Sequence, residues 1–327
     1  MTNPIKCTAL LLAICCALAL AQPVSASAAE KQLSLLATTF PIYQITRNII
    51  TGTDDVRLEL LIPAAMGCPH DYALAPRDMH KLAQADLLIV NGLGLEEFLG
   101  APVSKANPRL IVLDSTKDIG QILQYADEDS HEDEQHDHAK ASETPAGPHQ
   151  HHHDTPNPHL FASPRMVALL AQNIAKGLAQ RNPGQAQTYT ANAERYAREM
   201  NILADDLARL GKRLANNRIV TQHGVFDYLA RDIGLEVVAV VQAHAGQDPA
   251  ASEFLDVVKT IRHKKAGAVF TEPQYPEAVG KKLAQEAGIA TAILDPAANG
   301  PEDAPMDYYQ QVMQANMKTL EKTLGSH

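Results

Sequence analysis

Between Tyr125 and His159 the chain carries eight of its fourteen histidines. Seven of them (His131, His136, His138, His149, His151, His152 and His153) are interleaved with Asp127, Glu128, Asp129, Glu132, Asp133, Glu134 and Asp137. No compact core accepts such a segment, because ordering it costs entropy that apolar burial cannot return. The tract must therefore hang from the fold as a disordered loop over 127–156, and the flanking sequences must fold without it. Imidazoles and carboxylates at this density collect divalent transition metals, with imidazole favouring zinc, copper or nickel. Either the tract is the binding site or it serves one elsewhere.

The amino terminus reads as a secretory signal over 1–28. Lys6 supplies a positive start, Leu10 to Ala21 is an apolar run too short to span a bilayer, and Ala26-Ser27-Ala28 offers small residues for cleavage after Ala28 or Ala29. A lipid anchor is disfavoured, since Cys15 and Cys16 follow Ile14 rather than a small residue. Cleavage removes Cys7, Cys15 and Cys16, so Cys68 remains alone and no intramolecular disulfide can form. A net charge of −10 disfavours nucleic acid as a partner class, and the lack of tryptophan disfavours a stacking platform for sugars or bases.

Before the tract, strand and helix signals alternate. Leu33 to Ala37, Val56 to Ile62, Leu87 to Val90 and Leu110 to Leu113 read as strands. Ile42, Ile45 and Ile49 recur at helical spacing, Pro76 opens a helix that carries Met79, Leu82 and Ala83 on one face, and Glu96 to Leu99 forms a helical turn. That order implies a mainly parallel sheet with helices on both faces. After the tract, Met166 to Gln180 is helical, and Gln185 to Asn216 predicts a long helix of roughly 45 Å at 1.5 Å per residue. Strands at Ile219 to Thr221, Glu236 to Val241, Ala268 to Thr271 and Thr291 to Leu294 then alternate with four more helices. The predicted fold is α/β: an amino-terminal lobe over 29–164, a helical linker with a rigid spine over 165–217, a carboxyl-terminal lobe over 218–327, and a metal cleft between the lobes.

Ligands of open α/β sheets bind beyond the carboxyl ends of the strands. Four metal-competent side chains fall at such element ends: His70, His159, His223 and Asp295. Two precede the spine and two follow it, so facing lobes would bring them together. Three neutral imidazoles and one carboxylate make a credible tetrahedral zinc shell, whereas manganese or magnesium would want more oxygen. A lone histidine at a loop end is more often an ordinary polar residue, so the coincidence of positions carries the argument. His80 and His263 are expected to be solvated. His244 lies in a loop near the cleft, and Cys68, two residues before His70, is a lesser candidate ligand. Glu272 follows a strand and reads either as an acceptor orienting an imidazole or, with more weight, as a plain loop acid. Enzyme motifs fail: Gly92-Leu93-Gly94 lacks the third glycine of a dinucleotide fingerprint, and no zinc-protease helix or serine elbow is present.

Gly67-Cys68-Pro69-His70-Asp71-Tyr72, Pro76-Arg77-Asp78-Met79 and Ala85 to Glu96, together with Thr39-Phe40-Pro41-Ile42, Asn157-Pro158-His159, His223 and Leu294-Asp295-Pro296, resemble the metal-binding proteins of zinc and manganese ABC importers. The resemblance covers essentially all of the mature chain. It implies a monomeric periplasmic carrier, not an enzyme, with one metal held by His70, His159, His223 and Asp295 and passed to a membrane permease and its ATPase. In that family histidine at the third position goes with zinc and glutamate with manganese, so His223 favours Zn2+ as cargo. Some zinc members carry glutamate before the first histidine, where this chain has Pro69; Asp295 or water is then the fourth ligand. The tract becomes an antenna of weak, exchangeable sites. A manganese carrier, a zinc-dependent hydrolase and a free-standing metal buffer are the alternatives, and a buffer alone would lose its binding with the tract.

Overall fold

Two four-stranded sheets, each parallel throughout, organise the computed structural model. It describes residues 32–67, 69, 72–125, 155–242 and 249–325. The signal expected over 1–28, the tract histidines and the expected ligand His70 lie outside those residues, as do Cys68 and His244.

The first sheet contains β1 (Leu33–Ala37), β2 (Val56–Leu60), β3 (Leu87–Val90) and β4 (Ile111–Asp114) in the order β2-β1-β3-β4. The second contains β5 (Arg218–Thr221), β6 (Glu236–Val240), β7 (Ala268–Thr271) and β8 (Ala290–Ile293) in the equivalent order β6-β5-β7-β8. Sequence explains which strands are central. The apolar run Leu87-Leu88-Ile89 in β3 and the whole of β7 are buried, as a strand covered on both faces must be. The outer strand β2 interleaves Arg57 and Glu59, which pair at 2.5 Å, with its apolar residues. In both sheets the chain departs in opposite directions after the two central strands, which creates a topological switch point at their carboxyl ends.

Helices α1 (Phe40–Ile49), α2 (Pro76–Gln84) and α3 (Gly100–Ala106) accompany the first sheet. The turn expected at Glu96 to Leu99 is a 3-10 turn that runs directly into α3, an element too poor in periodic apolar residues to be read from sequence. In α2 Leu82 is buried, but Ala83 is exposed and Asp78 is buried instead. Asp78 earns its place by accepting hydrogen bonds from the Ala75 N–H at 2.8 Å and the Tyr72 hydroxyl at 2.9 Å, which closes the helix start.

The expected spine differs in form. Helix α4 (Pro164–Arg181) and helix α5 (Ala186–Gly211) are joined by a single 3-10 turn and fold back on one another as a hairpin, with Arg165 near the start of one paired to Asp205 near the end of the other at 2.8 Å. Helix α5 has 26 residues, about 39 Å at 1.5 Å per residue, shorter than the sequence suggests. It ends where Gly211 passes beneath the last turn of α6 (Asp227–Ile233): a Cβ there would stand 1.8 Å from the Ile233 carbonyl oxygen. Helices α7 (Ala251–Lys264), α8 (Ala278–Ala287) and α9 (Tyr308–Leu324) complete the second half. Among the described residues no helix is long and apolar enough to cross a membrane.

The halves are also tied away from α5. Arg47 and Asn48 of α1 donate to the Ala304 and Met306 carbonyls at 2.7 and 3.1 Å, Gly300 N–H donates to Ala64 at 3.0 Å, and the Phe40 and Tyr308 rings meet edge to face. On the other side Ser163 donates to Asp232 at 2.5 Å and the Tyr309 hydroxyl to the Phe161 carbonyl at 3.0 Å. These bonds help to hold the two sheets within one compact unit from Leu33 onward. Because backbone blocks any side chain at residue 211, Gly211→Ala is expected to cost about 1–3 kcal/mol through overpacking. A lowered urea midpoint with an unchanged slope would report it, and an unchanged midpoint would contradict the close approach.

Candidate metal site

The switch point of the second sheet delivers the first functional side chain. His223 follows β5 after Gln222 and is buried, its backbone extended before a 3-10 turn at Gly224–Phe226. Glu272 follows β7, the strand beside β5, and is fully buried. Adjacent strands thus set the two side by side, with Glu272 Oε1 2.5 Å from His223 Nδ1. The contact is close but not aligned, and neither atom completes a hydrogen bond in this conformation. Burial raises the Glu272 carboxyl above its ordinary range, while the imidazole and Gln274, which donates to Oε2 at 2.6 Å, pull it back. Glu272 is thus buried beside an imidazole and is not the plain exposed loop acid that the sequence favoured. The signal for it was present: an acid directly after a central strand, one strand from a histidine.

His159 reaches the same place from the other half. The segment before it crosses the first sheet's switch point, where Asn91, directly after β3, donates to the Pro158 carbonyl at 2.9 Å. Asn91 is fixed in turn by Glu96, which accepts from the Asn91 and Gly92 N–H groups and from Thr38. His159 is wholly buried, with Nδ1 2.8 Å from Asn157 Oδ1. Its ring lies edge to face with His223, centroids 5.4 Å apart, and Tyr125 and Tyr275 stand against the two imidazoles. Both Nδ1 atoms therefore face a side-chain oxygen, an arrangement that leaves Nε2 as the metal-competent nitrogen. His223 Nε2 has no hydrogen-bond partner among the described residues.

Asp295 follows β8. Its N–H donates to Asn316 of α9 at 2.9 Å, and the Asn316 amide returns a bond to the Asp295 carbonyl at 2.7 Å. Burial raises its carboxyl, partly offset by the Ala297 N–H that donates to Oδ1. It is close enough to Glu272 for its charge to raise that carboxyl further. Among the described residues, no three His, Cys, Asp or Glu side chains lie close enough together to hold a metal ion, so Asp295 is not gathered with the two imidazoles in this conformation. The structure brings His159 and His223 together and sets Asp295 on the same edge of the second sheet. His80 and His263 are exposed, as expected of solvated residues.

Asp227, at the start of α6, was not singled out by sequence. It accepts from Asn157 Nδ2 at 2.8 Å. Burial pushes its carboxyl up to about 6 from 3.8, against the lowering effects of Asn157 and His223.

Residues 35–323 match the model of the family described as zinc-uptake complex component A, periplasmic. The zinc-binding lipoprotein AdcA of Streptococcus pneumoniae is 27% identical over 320 residues, covering 97% of this chain but 61% of its own length. The chain thus spans about three fifths of that relative. The iron-binding protein YfeA of Yersinia pestis is 28% identical over 297 residues, 89% of this chain and 86% of its own. Among solved structures, the SBP FpvC of Pseudomonas aeruginosa in complex with Mn2+ superposes with a TM-score of 0.73 at 26% identity, covering 90% of this chain and 98% of its own. A crystal structure of ZnuA superposes with a TM-score of 0.71 at 24% identity over 90% of this chain and all of its own, a likeness of fold.

The Asp227 shift carries a pH dependence. A folded-state value above the unfolded one means that the folded protein holds this proton more tightly. The group's contribution is therefore most favourable below about 3.8, declines as pH rises, and reaches its full penalty above about 6, roughly 3 kcal/mol for a shift of two units. Asp227→Asn should flatten the decline of melting temperature between about pH 4 and 7 in metal-free protein, read by thermal scans. Superimposable profiles for variant and parent would contradict the assignment.

Proposed function

We propose that this chain, which belongs to the family of the periplasmic zinc-uptake complex component A, captures Zn2+ between its two sheets and hands it to the membrane permease of an ABC importer. The observation that carries this reading is the pair of buried imidazoles, His159 and His223. They come from opposite sides of the α4–α5 hairpin and meet with both Nδ1 atoms facing an oxygen. A buried imidazole whose Nδ1 faces an oxygen presents Nε2 as its coordinating nitrogen, the arrangement usual for metal-ligating histidines.

The donor set supports zinc. Two imidazoles with Asp295 on the same edge, completed by His70, give three nitrogens and one carboxylate, which suits tetrahedral Zn2+. The names of relatives do not select the ion, since they include zinc-, iron- and manganese-bound proteins. The transport reading rests on the family, whose members are periplasmic components of an uptake complex. It requires no bond to be made or broken. The ion binds, the protein docks, and the ion leaves. A four-residue shell fits that cycle better than hydrolysis, which needs an open coordination position and a nearby base. Export by the sequence at 1–28, a monomeric state, and an accessory role for the histidine tract belong to the same proposal.

Because an imidazole must be neutral to coordinate, binding is expected to weaken as the medium becomes acidic. His159→Ala and His223→Ala should each weaken stoichiometric zinc binding by about 100-fold or more, roughly 2.7 kcal/mol. Competition titration against a chromophoric chelator measures it. Unchanged high-affinity binding in either variant would refute the site, and manganese bound as tightly as zinc by the parent would refute the cargo.

A further inference from the structure

The two imidazoles are joined through a single side chain. Asn157 is completely buried, two residues before His159. Its Oδ1 accepts from the His159 backbone N–H at 3.0 Å and lies 2.8 Å from His159 Nδ1. Its Nδ2 donates to the Gly224 carbonyl at 2.8 Å and to Asp227 Oδ2 at 2.8 Å. Gly224 is the residue after His223. One amide therefore grips His159 with its oxygen and the His223 loop with its nitrogen.

The direction of that amide is fixed by groups whose polarity cannot change. A backbone N–H only donates, so the atom facing His159 N must be oxygen. A backbone carbonyl only accepts, so the atom facing Gly224 must be nitrogen. An amide oxygen cannot donate to an imidazole, so in the neutral ring His159 Nδ1 must carry the proton and Nε2 must present its lone pair. The tautomer that a metal needs is thus set before any metal arrives. Asn157 is itself anchored: the Tyr228 hydroxyl donates to its carbonyl at 2.8 Å, and its N–H donates to the Leu123 carbonyl at 2.8 Å. Tyr228 also accepts from Leu123 N–H at 3.1 Å, closing the frame.

We propose that Asn157 is the positioning residue that couples the two imidazole ligands, fixing the tautomer of His159 and the placement of His223 through one amide. The inference rests on the zinc-capture reading for its consequence, and on the hydrogen bonds alone for its mechanism. It explains why a neutral amide stands here. A carboxylate would keep the acceptor for His159 but set a second oxygen against the Gly224 carbonyl and the Asp227 carboxylate. An apolar residue would leave both arms unsupported.

Long-range proton–nitrogen correlation spectra of the histidine rings in metal-free protein test the mechanism, and chelator competition with Zn2+ tests the consequence. In the parent, His159 should show the Nδ1-protonated tautomer. A resonance pattern with the proton on Nε2 would overturn the proposal without any variant. In Asn157→Ala, His159 should become a mixture of tautomers, His223 ring signals should shift, and zinc affinity should fall about 10- to 100-fold. In Asn157→Asp, His159 should keep its tautomer while the His223 signals shift and affinity still falls. An Asn157→Ala protein with the parent's ring spectra and an affinity within twofold of the parent would also overturn it. Should the parent fail to bind zinc tightly, the zinc-capture reading fails, and the ring spectra still decide the role of Asn157.

Discussion

A buried imidazole has two nitrogens, and the protein can offer one to a metal only if it settles the other. That constraint organises the centre of this molecule. Asn157 Oδ1 takes His159 Nδ1, and Glu272 Oε1 faces His223 Nδ1. Each of these oxygens depends on further structure. Glu272 is delivered by the end of β7 next to β5, and Asn157 is framed by Tyr228, Leu123 and Asp227. Removing the parallel order of the second sheet would separate His223 from Glu272, because only neighbouring strands that run the same way bring two carboxyl ends together.

The second dependence is between the halves. The proposed site draws on both, so coordination there would require their relative placement to be well held. The α4–α5 hairpin alone does not do this. Bonds from Arg47 and Asn48 to residues 304 and 306 fix one side, while those from Ser163 to Asp232 and from Tyr309 to Phe161 fix the other. A binding cycle in such a molecule is expected to involve loops at the strand ends rather than swings of whole lobes.

Much of this was legible in the sequence. The strands expected at Leu33 to Ala37, Leu87 to Val90 and Ala268 to Thr271 coincide with β1, β3 and β7, because central parallel strands are continuous apolar runs bounded by polar loops. Pro76 and Pro164 open α2 and α4, and the isoleucine spacing at 42, 45 and 49 marks α1. His159 and His223, singled out by their positions at element ends, lie beside one another. The true length of α5 is hidden, since nothing local to Gly211 marks the end and its close approach to Ile233 comes from a segment far along the chain. Helix α3 escaped for lack of an apolar face. The roles of Asn157, Asp227 and Glu272 were not readable as bonds, because each is defined by a partner from another element. A lone asparagine before proline reads only as a turn until the carbonyl of Gly224 is seen beside it.

The account stands or falls on where a zinc ion sits. Crystals of the protein grown with one equivalent of Zn2+ can be measured above and below the zinc absorption edge. The account predicts one strong anomalous peak between the sheets, about 2.0–2.1 Å from Nε2 of both His159 and His223. A peak that bonds to Nδ1 of either ring, or a fully loaded protein with no peak between these two imidazoles, would contradict it.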